Sequence, residues 1–153
     1  MHRYEVTQFI HATLAEVWEF MASPNNLKRI TPNYMTFRVD DPSVAEKMYA
    51  GQVINYTVTP LLGIPMKWTT EITHVVQDSY FVDEQRFGPY AFWHHQHILT
   101  AVENGVEMRD IVHYKLPFGI LGDWVHQLMV KKKVKEIFDF RFKAVEEIFN
   151  KKN

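Results

Sequence analysis

Residues 2–10 alternate apolar with polar, the two-residue period of a half-buried strand, with Tyr4, Val6, Phe9 and Ile10 as the expected buried positions. Thr13 then stands as an N-cap, with Glu16 three residues on as its capping-box partner. Val17, Trp18, Phe20 and Met21 follow at helical spacing, so a short helix is expected to about Ala22. Ser23-Pro24-Asn25-Asn26 ends it, and Leu27 to Ile30 predicts a second helical turn before Thr31-Pro32. From Tyr34 to Pro117 the period is two, with strands expected at 34–40, 51–59, 66–77, 80–87, 91–102 and 106–116. The breakers are Asp40-Asp41-Pro42, Pro60 to Pro65, Gln77-Asp78-Ser79, Gly88-Pro89 and Asn104-Gly105. The last lies between two alternating runs and predicts a tight two-residue hairpin. Phe118-Gly119-Ile120-Leu121-Gly122 is an apolar connection, a lip over a cavity or a buried corner. Beyond it, 123–150 holds neither Gly nor Pro. There Val130, Val134, Ile137, Phe138, Phe142, Val145, Ile148 and Phe149 recur at the spacing of one long amphipathic helix.

This order predicts an α+β architecture. One helix cannot cover six or seven strands by flat packing, but a bent antiparallel sheet wrapped around it can, and such a wrap leaves a hollow. With 153 residues the chain has the length of a single domain, 1–153. Aromatic residues reach 14%, enough to line or fill something large. Cysteine is absent, which excludes disulfides, thiolate catalysis, zinc fingers and iron–sulfur clusters. The net charge is −1, with Lys131-Lys132-Lys133 as the one basic run, and that argues against nucleic acid as a partner. That run reads as a solvated helix face rather than a lipid-binding patch. No signal peptide or membrane span is read, so stable membrane insertion is not expected and the cytoplasm is the expected location.

The 91–116 hairpin carries the polar chemistry. With Asn104-Gly105 as the turn, Trp93 faces Leu116, His95 faces Tyr114, His97 faces Val112 and Leu99 faces Asp110, all on one face. The other face bears Glu107, Arg109 and Lys115, which belong in water, along with His94 and His113, so the Trp93 face is the inner one. Diagonal neighbours across strands come within reach, so His97 is expected near both Asp110 and Tyr114. Asp83 and Gln85 join this cluster if Phe81, Asp83, Gln85 and Phe87 point inward. Trp68, Thr70 and Ile72, with Ile54, Tyr56 and Val58, supply further wall.

Four readings fit such a cluster: a structural hydrogen-bond network, the polar end of an apolar pocket, acid–base catalysis by His95 or His97 held by Asp110, and a metal site of His95, His97 and Asp110. The first two carry the most weight, and no metal or cofactor is expected. Ser43 and Ser79 sit at predicted turns, which disfavours a serine triad.

The element order, together with Phe81-Val82-Asp83-Glu84-Gln85, Gly88-Pro89-Tyr90, Trp93-His94-His95-Gln96-His97, Asp110-Ile111-Val112-His113-Tyr114 and Leu116-Pro117-Phe118-Gly119, resembles the START-like, birch-pollen-allergen-like (SRPBCC) superfamily. The closest similarity is to its bacterial stand-alone polyketide cyclase/dehydrase-like members. The resemblance implies the helix-grip fold, a curved six- to seven-stranded antiparallel sheet around a long C-terminal helix with two short helices after the first strand. It implies a deep cavity and no universal catalytic motif. The expected function is therefore binding of a small hydrophobic or amphipathic ligand, with a cyclase- or dehydratase-like enzyme using the His–Asp pair as the alternative. An interaction module using the Phe118 to Leu121 lip is a third reading. The expected ligand-binding residues are Tyr56, Trp68, Asp83, Gln85, Trp93, His95, His97, Asp110, Tyr114, Phe138 and Phe142. The chain is expected as a monomer or homodimer.

Overall fold

The structure is a computed structural model and describes residues 1–40, 47–61, 64–117 and 129–150. Ser43, the Asp41-Pro42 breaker, the Phe118 to Leu121 lip and the predicted helical residues 123–128 lie outside them.

The capping box forms as expected. Thr13 Oγ1 accepts from the Glu16 amide, and Glu16 Oε2 accepts from the Thr13 amide at 2.9 Å. It starts α1 (Leu14–Met21), which buries Val17, Trp18, Phe20 and Met21. Two 3₁₀ helices, Pro24–Ile30 and Asn33–Met35, follow. The strands are β1 (His2–Ile10), β2 (Arg38–Val39), β3 (Gln52–Leu61), β4 (Ile64–Val76), β5 (Tyr80–Phe87), β6 (Phe92–Val102) and β7 (Gly105–Lys115), and the long helix is α2 (Lys131–Phe149). All seven strands join one antiparallel sheet in the order β1-β7-β6-β5-β4-β3-β2. Irregular pairings between Val58 and Leu61, Thr69 and Thr70, and Ile72 and His74 bend its middle strands.

Along α2 the buried positions are Val134, Phe138, Arg141 and Val145, one stripe at helical spacing. Val145 packs with Ile10, Val17 and Val106 at one end, and Val134 and Phe138 pack with Val112 and Tyr114 nearer the other. Ile54, Tyr56, Val58 and Ile72 form a third cluster on β3 and β4. Glu107, Arg109 and Lys115 are exposed, so the Trp93 face is the inner one.

Three expectations need correction. The hairpin turns at Glu103-Asn104, so Trp93 pairs with Tyr114, His95 with Val112, His97 with Asp110 and Leu99 with Met108. The register moves by two residues, which leaves every side chain on its expected face. The cause is Gly105. A Cβ there would lie 2.3 Å from the Ile10 carbonyl oxygen, so this glycine serves the close passage of β1, and the positive φ of the turn falls to Asn104 at 64°. Within β1, Phe9 is 40% exposed, whereas Gln8 is buried and donates to the Phe142 carbonyl at 2.9 Å. Strict alternation overrides the hydrophobicity of Phe9. The strand expected at 34–40 shrinks to Arg38–Val39, because Asn33–Met35 makes a 3₁₀ turn that ends on Thr36 in the left-handed region.

Candidate functional site

Between the two 3₁₀ helices, β3 to β6 and α2 lies a cavity of about 150 Å³. Its apolar wall includes Met35, Ile54, Tyr56, Trp68, Ile72 and Trp93, and its polar end is Asp83, His95, His97 and Arg141. Trp68, Tyr90 and Trp93 pack on one another, with ring centroids 4.8–5.6 Å apart. A larger hollow of about 880 Å³ lies between α1 and the end of α2, but exposed His11, Glu16, Arg29 and Glu147 rim it, which makes it a surface cleft.

The polar end forms because β5, β6 and β7 are neighbours in register. Asp83 pairs with His95 and Asp110 with His97, and alternation turns all four side chains inward. The result is a closed ring of contacts. His95 places Nδ1 3.2 Å from Asp83 Oδ2 and Nε2 2.9 Å from Asp110 Oδ1. His97 places Nε2 2.9 Å from the same Asp83 oxygen and Nδ1 2.8 Å from the same Asp110 oxygen. The last contact is off line, and His97 Nδ1 has no hydrogen-bond partner among the described residues. The two imidazoles are 3.7 Å apart between centroids; Phe81 stacks on His97 at 4.1 Å, and Phe138 and His95 pack edge to face with centroids 5.5 Å apart. Arg141 Nη1 lies 3.7 Å from Asp110 Oδ1, a charge contact too long for a hydrogen bond.

Burial alone would push both carboxyls up, but the histidines reverse this. For Asp83 the charge of His95 is the largest of the effects that oppose burial, and with the hydrogen bonds from both histidines it holds the carboxyl below its ordinary range. For Asp110 the hydrogen bond from His95 leads, and its carboxyl falls well below that range. Burial would lower His95; Asp83 and then Asp110 outweigh it and raise the imidazole above its ordinary value. Both His95 nitrogens therefore face carboxylate oxygens as donors, the arrangement of an imidazolium. Below its raised value, the His95 imidazolium joins the Arg141 guanidinium in offsetting the two carboxylates.

Of the expected ligand-binding residues, Tyr56, Trp68, Asp83, Trp93, His95 and His97 line the cavity. Asp110 stands behind the histidines, facing a small hollow with Gln8 and Phe142. Tyr114 is buried beside the cavity against Tyr90 and Trp93. Gln85 turns away to the Tyr90 backbone, donating to its carbonyl at 2.6 Å and accepting from its amide at 3.1 Å. On α2, Phe138 backs His95 and Phe142 is 39% exposed, so Ile137 and Arg141 supply that wall instead. Arg141 was legible as a cation in the apolar stripe, three residues after Phe138 and four before Val145. Tyr90 carries no comparable sequence signal. On the outer face His94 meets Glu84 at 3.0 Å, and Lys133 pairs with Glu136 at 2.7 Å.

A curved seven-stranded antiparallel sheet holding a long C-terminal helix, with short helices after the first strand, is the helix-grip fold of the START-like, birch-pollen-allergen-like proteins. Solved structures share it. The Chromobacterium violaceum protein CV1439 matches with a TM-score of 0.74 at 9% identity, over 97% of this chain and 98% of that one. The protein TTHA0849 from Thermus thermophilus matches with a TM-score of 0.69 at 17% identity, over 95% of each chain. Ara h 8.0201 matches with a TM-score of 0.62 at 16% identity, over 95% of this chain and 98% of that one. No protein-family model and no curated protein matches the sequence. No helix among the described residues is long and apolar enough to cross a membrane.

Proposed function

We propose that the chain binds a small hydrophobic or amphipathic molecule, of lipid, quinone, polyketide or similar aromatic type, in the cavity between sheet and α2. The observation that carries this reading is the cavity's two-sided lining, an aromatic and aliphatic wall closed at one end by Asp83, His95, His97 and Arg141. Such a lining buries an apolar body and orients one polar group. A volume of about 150 Å³ suits a single ring, since an apolar cavity of about that size is enough for benzene. Larger members of the class would require the walls to move. Thermal shifts and native mass spectrometry against phenols, quinones and fatty acids test the proposal. A bound 1:1 complex that raises Tm is expected, and the absence of any binder across the panel overturns it.

A second reading has its own observation. His97 lines the cavity while the Asp83 carboxylate holds its ring through Nε2 at 2.9 Å, the arrangement of an oriented acid–base group in a cyclase- or dehydratase-like enzyme. Turnover of an accepted substrate that falls at least tenfold in His97→Ala supports it, and unchanged turnover removes that role from this residue.

A further inference from the structure

The geometry points to a metal site at the polar end of the cavity, in which Asp83 Oδ2, His95 Nδ1 and His97 Nε2 hold one divalent first-row transition ion, His95 Nδ1 releasing its proton to solvent as the ion binds. One ligand atom from each of these three residues lies within 4.8 Å of the others, and Asp83 Oδ2 is 3.2 Å from His95 Nδ1 and 2.9 Å from His97 Nε2. Two donors that each sit about 2.1 Å from an ion are about 3.0 Å apart at a right angle and about 3.4 Å apart at the tetrahedral angle. The donors thus stand at near-ligating separations.

The surroundings have the build of a metal centre. Ligating imidazoles turn their second nitrogen to a carboxylate, which fixes ring and tautomer. Here the far nitrogen of His95, Nε2, is hydrogen-bonded to Asp110 Oδ1 at 2.9 Å, and that of His97, Nδ1, lies 2.8 Å from the same oxygen but off line. His97 Nδ1 is buried and has no hydrogen-bond partner among the described residues, so a small ring rotation on metal binding gives it one. Arg141, 3.7 Å from Asp110, offsets that carboxylate's charge, leaving Asp83 as the anionic ligand. All three ligating residues line the cavity, whereas Asp110 faces the hollow behind them. Trp68 and Trp93 line the same cavity as the three donors, so the side of the site away from Asp110 faces that space. Two imidazoles and a carboxylate select zinc, iron(II) or cobalt(II) over magnesium or calcium. The site replaces the sequence-based set of His95, His97 and Asp110, because β5 brings Asp83 to the cavity side. The inference does not rest on the apolar-ligand reading, since cobalt can bind a chain that takes no organic molecule, and the reverse.

The test is titration of the untagged, chelator-treated chain with cobalt(II), read by calorimetry and visible absorption. One equivalent is expected to bind. Asp83→Ala and His97→Ala should each abolish binding, Asp110→Asn should weaken it about 10- to 100-fold, and His94→Ala on the outer face should leave it unchanged. A wild-type chain that takes up no saturable equivalent, or an Asp83→Ala chain that binds as well as wild type, overturns the proposal. Should the variants not fold, the wild-type NMR spectrum decides. Broadening by cobalt(II) centred on Phe81 and Trp93 supports the site, and broadening centred on His94 and His113 refutes it.

Discussion

Replacing Asp110 by Asn keeps its shape and removes one charge from the middle of the ring. Asp110 is 2% exposed, accepts from His95 Nε2 at 2.9 Å and has Arg141 3.7 Å away. The substitution leaves one carboxylate, Asp83, against two buried cations. Breaking a buried ion pair by removing one partner costs about 3–5 kcal/mol, a large share of the roughly 5–15 kcal/mol that holds a domain folded. The pH dependence carries a second signature. Asp83 and Asp110 are held below their ordinary range, so their contribution is present above the unfolded carboxyl value of about 3.9 and is lost as pH falls toward the folded one. His95 is raised, so its contribution is complete below the unfolded imidazole value of about 6.5 and is lost as pH rises through the folded value. Wild-type stability should therefore be greatest between about pH 4 and 6.5 and decline above it. Urea unfolding from pH 4 to 9, with chelator present, measures both effects. Asp110→Asn should lose about 3–5 kcal/mol at pH 6 and show a flatter decline toward pH 9, because its His95 retains only Asp83. A loss below about 1 kcal/mol, or an alkaline decline identical to wild type, would refute the reasoning.

Gly105→Ala should destabilise the chain by more than about 1 kcal/mol in urea unfolding, since its Cβ meets the Ile10 carbonyl at 2.3 Å, where backbone must shift. Thr13→Ala removes the capping box of α1 and should cost about 1 kcal/mol, read as a lower Tm. Ile72→Ala, at a cavity wall that is 3% exposed, should cost about 2–5 kcal/mol and widen the hollow, so thermal-shift screening should find binders bulkier than those of wild type.

Most of the fold was legible because its signals are periodic. Alternation fixes which side chains of β6 and β7 face inward, and parity survives even though the turn sits one residue earlier than Asn-Gly suggested. The exact pairing was not legible, because it depends on the approach of β1 to Gly105, a contact across 95 residues of sequence that no local pattern records. Phe9 and Gln8 show the same limit, with strand parity overriding hydrophobicity. At the site, the residues of one hairpin were found together. Asp83 needed the third strand and entered only conditionally; it stands on the cavity side, whereas Asp110 stands behind the histidines. Gln85 shares Asp83's parity, but the Tyr90 backbone captures its amide. On α2 the helical stripe predicted which residues turn inward, yet which of them border open space depends on where the sheet stands away, so Phe138 and Phe142 were expected where Ile137 and Arg141 stand.

A ligand-binding role requires that the space beside Asp83, His95 and His97 receive a molecule. Methyl and indole NMR spectra, recorded while single-ring phenols and aromatic acids are added, test this directly. Saturable shifts at the Ile54 and Ile72 methyls and at the Trp68 and Trp93 indole N–H groups are predicted. A panel that leaves these signals still, or that moves only Ile148 and its neighbours at the surface cleft, would contradict it.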